Sequence, residues 1–496
     1  MDFLSFVIGL CLTWIIIKTF HIIPRGKANQ KRLPPGPKPF PVIGNLLELG
    51  DKPHRSLTKL AKEYGPIMTL KLGRVTTIVI TSANMAKEVL QTHDQLLSNR
   101  TVPDALRVHG HDELSMPWIS ISSKWRNLRK ICNGQLFSNM ALEANQDIRR
   151  KKVQELVAET RQSSVTGEAV DIGKAAFKTA LNMLSNTILS VDLAGPNSDT
   201  TLKFKEIVWT AMEDIGKPNL ADYFPVLQKF DPQGIRQRTA VNFVKMKNIF
   251  THMISERLQL RKVSGSLTKF DMLDTLLNIC EENNEMMDKK AMEHFLMDLF
   301  TAGTDTTSST MEWAMAELLC NPEALSKAKL ELKQVIGEGH PVEESDISRL
   351  PYLQAILKET LRLHPSTPLL LPRKAGADVE INGYIIPKGA QVLVNAWAIG
   401  RDPTLWENAN LFMPDRFLES EIDVKGRNFE IIPFGSGRRI CPGLPLAIRV
   451  LHLMLGSLIH NFDWKLEDGV NCEDMNMEEK FGITLQRAHP LRAVPI

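Results

Sequence analysis

The chain has 496 residues, 43% of them hydrophobic, which is enough to bury a large core. Its 60 basic and 57 acidic residues are well mixed and leave a net charge of +3, which excludes the concentrated basic surface of a nucleic-acid binder. Six cysteines (Cys11, Cys132, Cys280, Cys320, Cys441 and Cys472) stand far apart in apolar contexts, so no disulfide framework is expected and a reducing compartment is.

The first element is an apolar run over residues 3–23, interrupted by Lys18. At 1.5 Å per residue, about 21 residues cross a hydrocarbon core of roughly 30 Å, with Lys18 reaching toward the headgroups. Asp2 precedes the run, and Lys18, Arg25, Lys27, Lys31 and Arg32 follow it. That charge order opposes a cleaved signal peptide and keeps the rest of the chain on the cytosolic side. Residues 1–23 therefore read as a transmembrane signal anchor. Residues 24–39 read as a basic, proline-rich hinge, since Leu33-Pro34-Pro35-Gly36-Pro37-Lys38-Pro39 favours an extended chain and forbids a helix. No linker divides residues 40–496, which read as one domain.

Within that domain, residues 56–63 and 83–92 carry helical periodicity, and the β-branched residues 76–81 read as a strand. Residues 97–118 have weak periodicity, with Pro103, Gly110 and Pro117, as in a long ordered loop. Inside it, Asn99-Arg100-Thr101 matches a glycosylation sequon that a cytosolic face leaves unused. Long helical segments follow, broken at Lys217-Pro218, Asp231-Pro232 and Asn321-Pro322. Residues 294–318 and 352–363 read as helices. Residues 374–398 read as short β runs with a turn at Asn382-Gly383, and residues 444–462 as a final helix. The expected class is mainly α with a small β portion.

Chemistry is concentrated in a few motifs. Phe434-Gly435-Ser436-Gly437-Arg438-Arg439-Ile440-Cys441-Pro442-Gly443 sets a cysteine between a glycine-rich loop and a helix start. A thiolate there is stabilised by the helix dipole and by free backbone N–H groups. Gly437 and Gly443 leave room for a large flat ligand, and Arg439 can pair with a carboxylate on it. A lone buried cysteine is usually a small hydrophobe, but here the flanking pattern is long. No second Cys or His stands at zinc-ligand spacing, and the rest of a dinucleotide fingerprint is missing. Upstream, Leu299, Ala302, Gly303, Thr306 and Thr310 share one helix face within Ala302-Gly303-Thr304-Asp305-Thr306-Thr307 and its flanks. That face suits a packing seam, and Thr306 can bond back to the Ala302 carbonyl and bend the helix. Glu359 and Arg362 lie opposite the apolar stripe of their helix, so periodicity alone reads them as an exposed i, i+3 pair. Trp125 and Arg129 are one turn apart.

The cysteine loop resembles the haem-binding signature F-x-x-G-x-R-x-C-x-G of the cytochrome P-450 superfamily at every fixed position. The resemblance implies the cytochrome P-450 fold with an N-terminal membrane anchor, and a haem-thiolate catalytic domain over residues 40–496. It implies haem b as cofactor, with Cys441 as the iron ligand and Phe434, Gly437, Arg439 and Gly443 around it. Trp125-Arg126-Asn127-Leu128-Arg129 resembles the family's W-x-x-x-R motif, which assigns Trp125 and Arg129 to a haem propionate. Arg373, in Leu371-Pro372-Arg373, stands where the family places another propionate arginine. The 302–307 hexapeptide resembles the oxygen-activating motif and assigns Asp305 and Thr306 to proton delivery. Glu359-x-x-Arg362 resembles the family's core motif, with Arg416 of Pro414-Asp415-Arg416-Phe417 as third partner, Asp415 replacing the usual Glu.

Further implied are an NADPH-dependent reductase as electron donor, with Lys124, Arg126 and Lys130 as docking candidates, and the endoplasmic reticulum membrane with the catalytic domain facing the cytosol. The segments 394–403 and 479–485 resemble the geraniol 8-hydroxylase subfamily, so a monoterpene alcohol is the expected substrate. Arg107, His109 or Asp305 is the expected holder of its hydroxyl. Ser366 departs from the proline of many relatives, and the loop bearing Arg107, His109, His111, Asp112 and Glu113 is more charged than a terpene pocket needs. Diterpenoids and phenylpropanoid or coumarin-type substrates are the alternatives. An O2-independent isomerase or a non-catalytic haem binder is disfavoured by the Asp305-Thr306 pair.

Overall fold

The computed structural model describes residues 32–195, 199–264, 271–282, 286–467 and 472–496. The expected anchor at 1–23 and the start of the hinge lie outside the described residues. The proline segment that follows runs extended along the first strand: Thr69 N donates to Pro35 O at 2.8 Å, and Ile385 N to Arg32 O at 2.8 Å. Gly36 is required there, because a Cβ would sit 1.9 Å from Thr69 O.

The elements that build the site are, in chain order, α1 (Pro53–Tyr64), β1 (Ile67–Leu72), β2 (Val75–Ile80), β3 (Asn99–Arg100), α2 (Ser123–Ile131), α3 (Ile172–Leu189), α4 (Asp199–Gly216), α5 (Ile235–Ser264), α6 (Lys289–Cys320), α7 (Pro351–Leu363), β4 (Arg373–Lys374), β5 (Gln391–Val394), α8 (Leu444–Asn461), β6 (Glu479–Lys480) and β7 (Gln486–Arg487). The expected mainly helical class with a minor sheet portion is what the chain adopts.

α6 is the axis of the molecule. Asp288 caps its start by accepting from Ala291 N at 2.6 Å, and Asn321-Pro322 ends it. Its first half, through Phe300, belongs to one apolar core with α3, α5 and the 105–119 loop. Its second half, from Met311, belongs to another with α7 and α8. The stretch between, 301–310, belongs to neither, and Ala302 is exposed although it stands mid-helix. A cavity lies there, and the small-residue face lines it.

The main sheet runs β1-β2-β5-β4-β3. β2 pairs parallel with β5, and β4 pairs antiparallel with β3 in the register Arg100↔Arg373. The 374–398 expectation is met as far as Val394, with positive φ at Asn382 and Gly383. Beyond it the chain turns helical at Ala396–Ile399, because Asn395 Oδ1 caps Ala398 N at 3.0 Å. The helix expected over 83–92 splits, with Ala83–Lys87 followed by a wider turn in which His93 N reaches back to Glu88 O. The long loop at 97–118 contains short 3₁₀ turns at Asp104–Leu106 and His111–Glu113.

Glu359 and Arg362 are buried, contrary to the periodicity reading. α7 packs against α6, α8 and the helix Pro322–Ile336, and the segment 400–417 covers the face that bears Glu359 and Arg362. Arg362 grips Glu359 through two bonds, at 2.6 and 2.7 Å, and Arg416 Nε adds a third at 3.1 Å. Arg362 Nη1 also donates to the Gly400 and Ala409 carbonyls. Asp415 stands outside this network and pairs with Lys327 instead.

Candidate active site

A cavity of about 350 Å³ lies between α6 and the cysteine loop. The loop closes on itself, since Cys441 N donates to Phe434 O at 2.9 Å, and α8 starts three residues later. Burial raises the Cys441 thiol pKa, while the backbone N–H groups of Gly443 and Leu444 and the charge of Arg129 pull it down. Cys441, Phe434, Arg439, Gly443, Trp125 and Arg129 all border the cavity. So does Arg373. A Cβ on Gly443 would meet only Cys441 Sγ at 3.8 Å and Phe137 Cζ at 3.9 Å, so that glycine leaves cavity space open.

Gly437 has a different reason to be glycine. Its φ is +68°, and a Cβ would stand 2.0 Å from Leu90 O and 3.1 Å from the Asp94 carboxylate. It lets the loop dock on the 88–94 turn and does not border the cavity.

One wall collects positive charge. Arg100, Arg129, Arg373 and Arg439 border the cavity, and burial lowers the pKa of each, that of Arg439 to about 10. Asp94 is the one carboxylate paired with any of them among the described residues, to Arg373 at 3.1 Å. The donors of Arg439 and Arg100 rest on backbone carbonyls. Arg439 reaches Ser98 O at 2.9 Å and Met116 O at 3.2 Å, and Arg100 reaches Pro117 O at 3.0 Å and Leu371 O at 2.7 Å. Arg439 also lies over the Trp125 ring, 4.9 Å from its centroid. Four guanidiniums against one carboxylate leave a buried excess of positive charge, which suits a ligand with two carboxylates. Arg100 was hidden in the sequence inside an apparent sequon. Only the pairing of β3 with β4 places it opposite Arg373.

The residues present therefore fit a haem: a soft thiolate for iron, guanidiniums for the propionates, and a glycine-edged slot for the ring. When bound, haem supplies the redox chemistry that reduces O2 with electrons from the reductase.

Across the cavity, Thr306 Oγ1 donates to Ala302 O at 2.7 Å, as its spacing predicts, and faces the open space. Thr310 Oγ1 donates to Thr306 O at 2.9 Å and meets Ser366 Oγ at 2.9 Å. Asp305 does not border the cavity. It turns to another face of α6, where its Oδ1 accepts from Gln486 Nε2 on β7 at 2.7 Å. Burial pushes its carboxyl up to about 6, against the pull of Thr484, Gln486 and Trp209. Arg107 and His109 are exposed and also stand outside the cavity wall, so none of the three expected hydroxyl holders reaches it. His111 and Asp298 do border it.

The sequence pattern of the family described as Cytochrome P-450 matches residues 34–490. Among curated relatives, the chain is 55% identical to "Geraniol 8-hydroxylase" of Catharanthus roseus over 495 residues, covering 100% of this chain and 99% of that protein. It is 55% identical to "Geraniol 8-hydroxylase" of Swertia mussotii, covering 99% of each. It is 50% identical to "7-ethoxycoumarin O-deethylase" of Helianthus tuberosus, covering 100% of this chain and 99% of that protein. With a cysteine loop, an arginine wall and a threonine-bearing central helix around one cavity, and with this match along nearly its whole length, the chain belongs to the cytochrome P-450 family of haem-thiolate monooxygenases.

Proposed function

We propose that the protein hydroxylates a monoterpene alcohol at an allylic methyl group remote from its own hydroxyl, as a geraniol 8-hydroxylase does. The observation that carries this reading is the apolar lining beyond Thr306, where Leu184, Met212, Ile215, Phe243, Leu370 and Ile483 border the cavity. Each CH2 of a C10 chain buried there contributes about 0.8 kcal/mol. The full-length likeness to two proteins named for that activity supports it.

In this reading Cys441 holds the iron, and Arg100, Arg129, Arg373 and Arg439 neutralise the propionates, with Trp125 backing Arg439. Phe434 and Gly443 shape the slot on the thiolate side. Thr306 Oγ1 holds a proton at the cavity surface, and Asp305 resupplies protons from behind the helix. Residues 1–23 anchor the chain in the endoplasmic reticulum membrane, with residues 24–39 as hinge and 40–496 facing the cytosol. Arg126 and Lys130, on one face of α2, and Lys124 at its start offer basic groups to an acidic reductase. Deleting residues 1–23 should move much of the protein off membranes with its haem spectrum intact, and complete retention on membranes would contradict the anchor.

The test of the substrate is turnover, with a plant reductase and NADPH, of geraniol and nerol beside a diterpene and 7-ethoxycoumarin. The reading requires the monoterpenols to be oxidised best. Product from the coumarin ether or the diterpene, with none from either monoterpenol, would overturn it.

A further inference from the structure

The cavity has one polar corner that the family chemistry leaves unused. His294, Asp298, Ala302 and Thr306 are spaced four apart on α6, so they lie along one ridge. Asp298 is eight residues before Thr306, about 12 Å along the axis. Its Oδ1 accepts from Ser115 Oγ at 2.7 Å and its Oδ2 from Met116 N at 2.8 Å, which pins the 97–118 loop to the helix. His111, on that loop, brings its Nε2 to 3.4 Å from Asp298 Oδ1. The His111 ring is fixed from two other sides. Its Nδ1 lies 2.8 Å from His294 Nδ1, and Phe243 packs edge-on with centroids 4.7 Å apart. His111 and Asp298 border the cavity, and both are buried.

The protons in this corner can be placed. Burial and the neighbouring His111 lower the pKa of His294 to about 3, so His294 is neutral at physiological pH. A bare His111 Nε2 facing the Asp298 carboxylate would set lone pair against anion. The favoured arrangement is His294 Nδ1–H donating to His111 Nδ1, which leaves His111 Nε2 with its proton. His294 Nε2, buried and without a partner among the described residues, is then a bare acceptor. The 3.4 Å gap between His111 Nε2 and Asp298 Oδ1 exceeds a good hydrogen bond. A hydroxyl oxygen about 2.8 Å from each atom would close a triangle on that edge, accepting from Nε2–H and donating to Oδ1. Asp298 has accepting capacity left for it.

We propose that His111, with Asp298, holds the hydroxyl of the alcohol substrate and so aims its far end at the reacting side of the cavity. This rests on the monoterpenol reading above and supplies the orienting group that Arg107, His109 and Asp305 do not. Thr306, Thr310 and Ser366, which also border the cavity, stand at the wrong end. An alcohol held by Thr306, Thr310 or Ser366 would present its own carbinol carbon for oxidation. The distance along α6 from Asp298 to Thr306 is on the scale of an extended C10 chain, which suits oxidation at the opposite terminus. An ether oxygen placed there would set a lone pair or a methyl group against the Asp298 carboxylate, so the ether takes neither bond and the corner selects alcohols over their ethers.

The test uses the haem-loaded, full-length protein with reductase, and geraniol beside its methyl ether. The parent should bind geraniol roughly tenfold more tightly than the ether in spectral titrations, the size expected for one net hydrogen bond. His111→Phe should lower the alcohol-to-ether ratio of kcat/KM by about tenfold, mostly through KM, and spread oxidation over other allylic positions. His111→Gln, which keeps an N–H donor near the place of Nε2, should restore much of the ratio. Equal losses for alcohol and ether would reduce His111 to a packing role and overturn the proposal. So would a parent that binds both equally, a result that needs no variant to fold. A parent that oxidises no monoterpenol defeats the substrate reading itself, and this inference falls with it.

Discussion

Thr306 and Asp305 are neighbours in sequence with opposite surroundings. One residue apart on a helix, they point about 100° apart, so Thr306 faces the cavity while Asp305 is buried against Gln486. In this account the hydroxyl works at the cavity surface and the acid resupplies it from behind. Thr306→Ala should still load haem and consume NADPH, but should release at least twice the hydrogen peroxide per NADPH, measured beside product formation. Unchanged coupling would return this face to simple packing. The back-bond of Thr306 was legible from its spacing, but its role was legible only through the family resemblance, since the small-residue face by itself suits a packing seam. Arg100 was not legible, because its significance comes from a strand pairing with Arg373 across 273 positions of the chain. Gly437 was legible as a glycine and misread in its purpose. The Leu90 carbonyl that excludes a Cβ belongs to a distant segment that the local sequence does not announce.

Among the elements, α7 shows where amphipathic reasoning stops. A helix with one apolar stripe is expected to expose its other face. Here helices cover the apolar side of α7 and the 400–417 segment covers its polar face, which is buried as a Glu359–Arg362–Arg416 network with backbone carbonyls taking the remaining Arg362 donors. The family resemblance identified this network, while periodicity pointed the other way. Because the pair is buried, removing one partner strands a charge. Arg362→Ala should cost about 3–5 kcal/mol and show as a large loss of haem-loaded protein and a lowered thermal midpoint. A variant that expresses and melts like the parent would show that the network is dispensable. The end of α6 and both ends of α8 were close to their sequence readings, since Asn321-Pro322 stops the one and a continuous apolar run marks the other, while α6 begins at Lys289, ahead of the expected 294. The 83–92 helix was less so, because the wider turn at its end leaves no mark in the side-chain pattern.

For the whole molecule, two apolar cores meet along α6 and leave a gap between them, and the sheet and the cysteine loop close that gap. The central claim is that this arrangement exists to hold a haem whose iron is bound by the Cys441 thiolate. Composition and periodicity supplied the mainly helical class but not this convergence, which depends on contacts between residues hundreds of positions apart. The Cys441 loop supplied it in advance only because its ten residues match a family pattern. The most direct measurement is the absorption spectrum of the reduced protein with carbon monoxide. The parent should show the red-shifted Soret band of a thiolate-ligated haem, and Cys441→Ser should lose it. Persistence of that band in the Cys441→Ser protein would contradict the account.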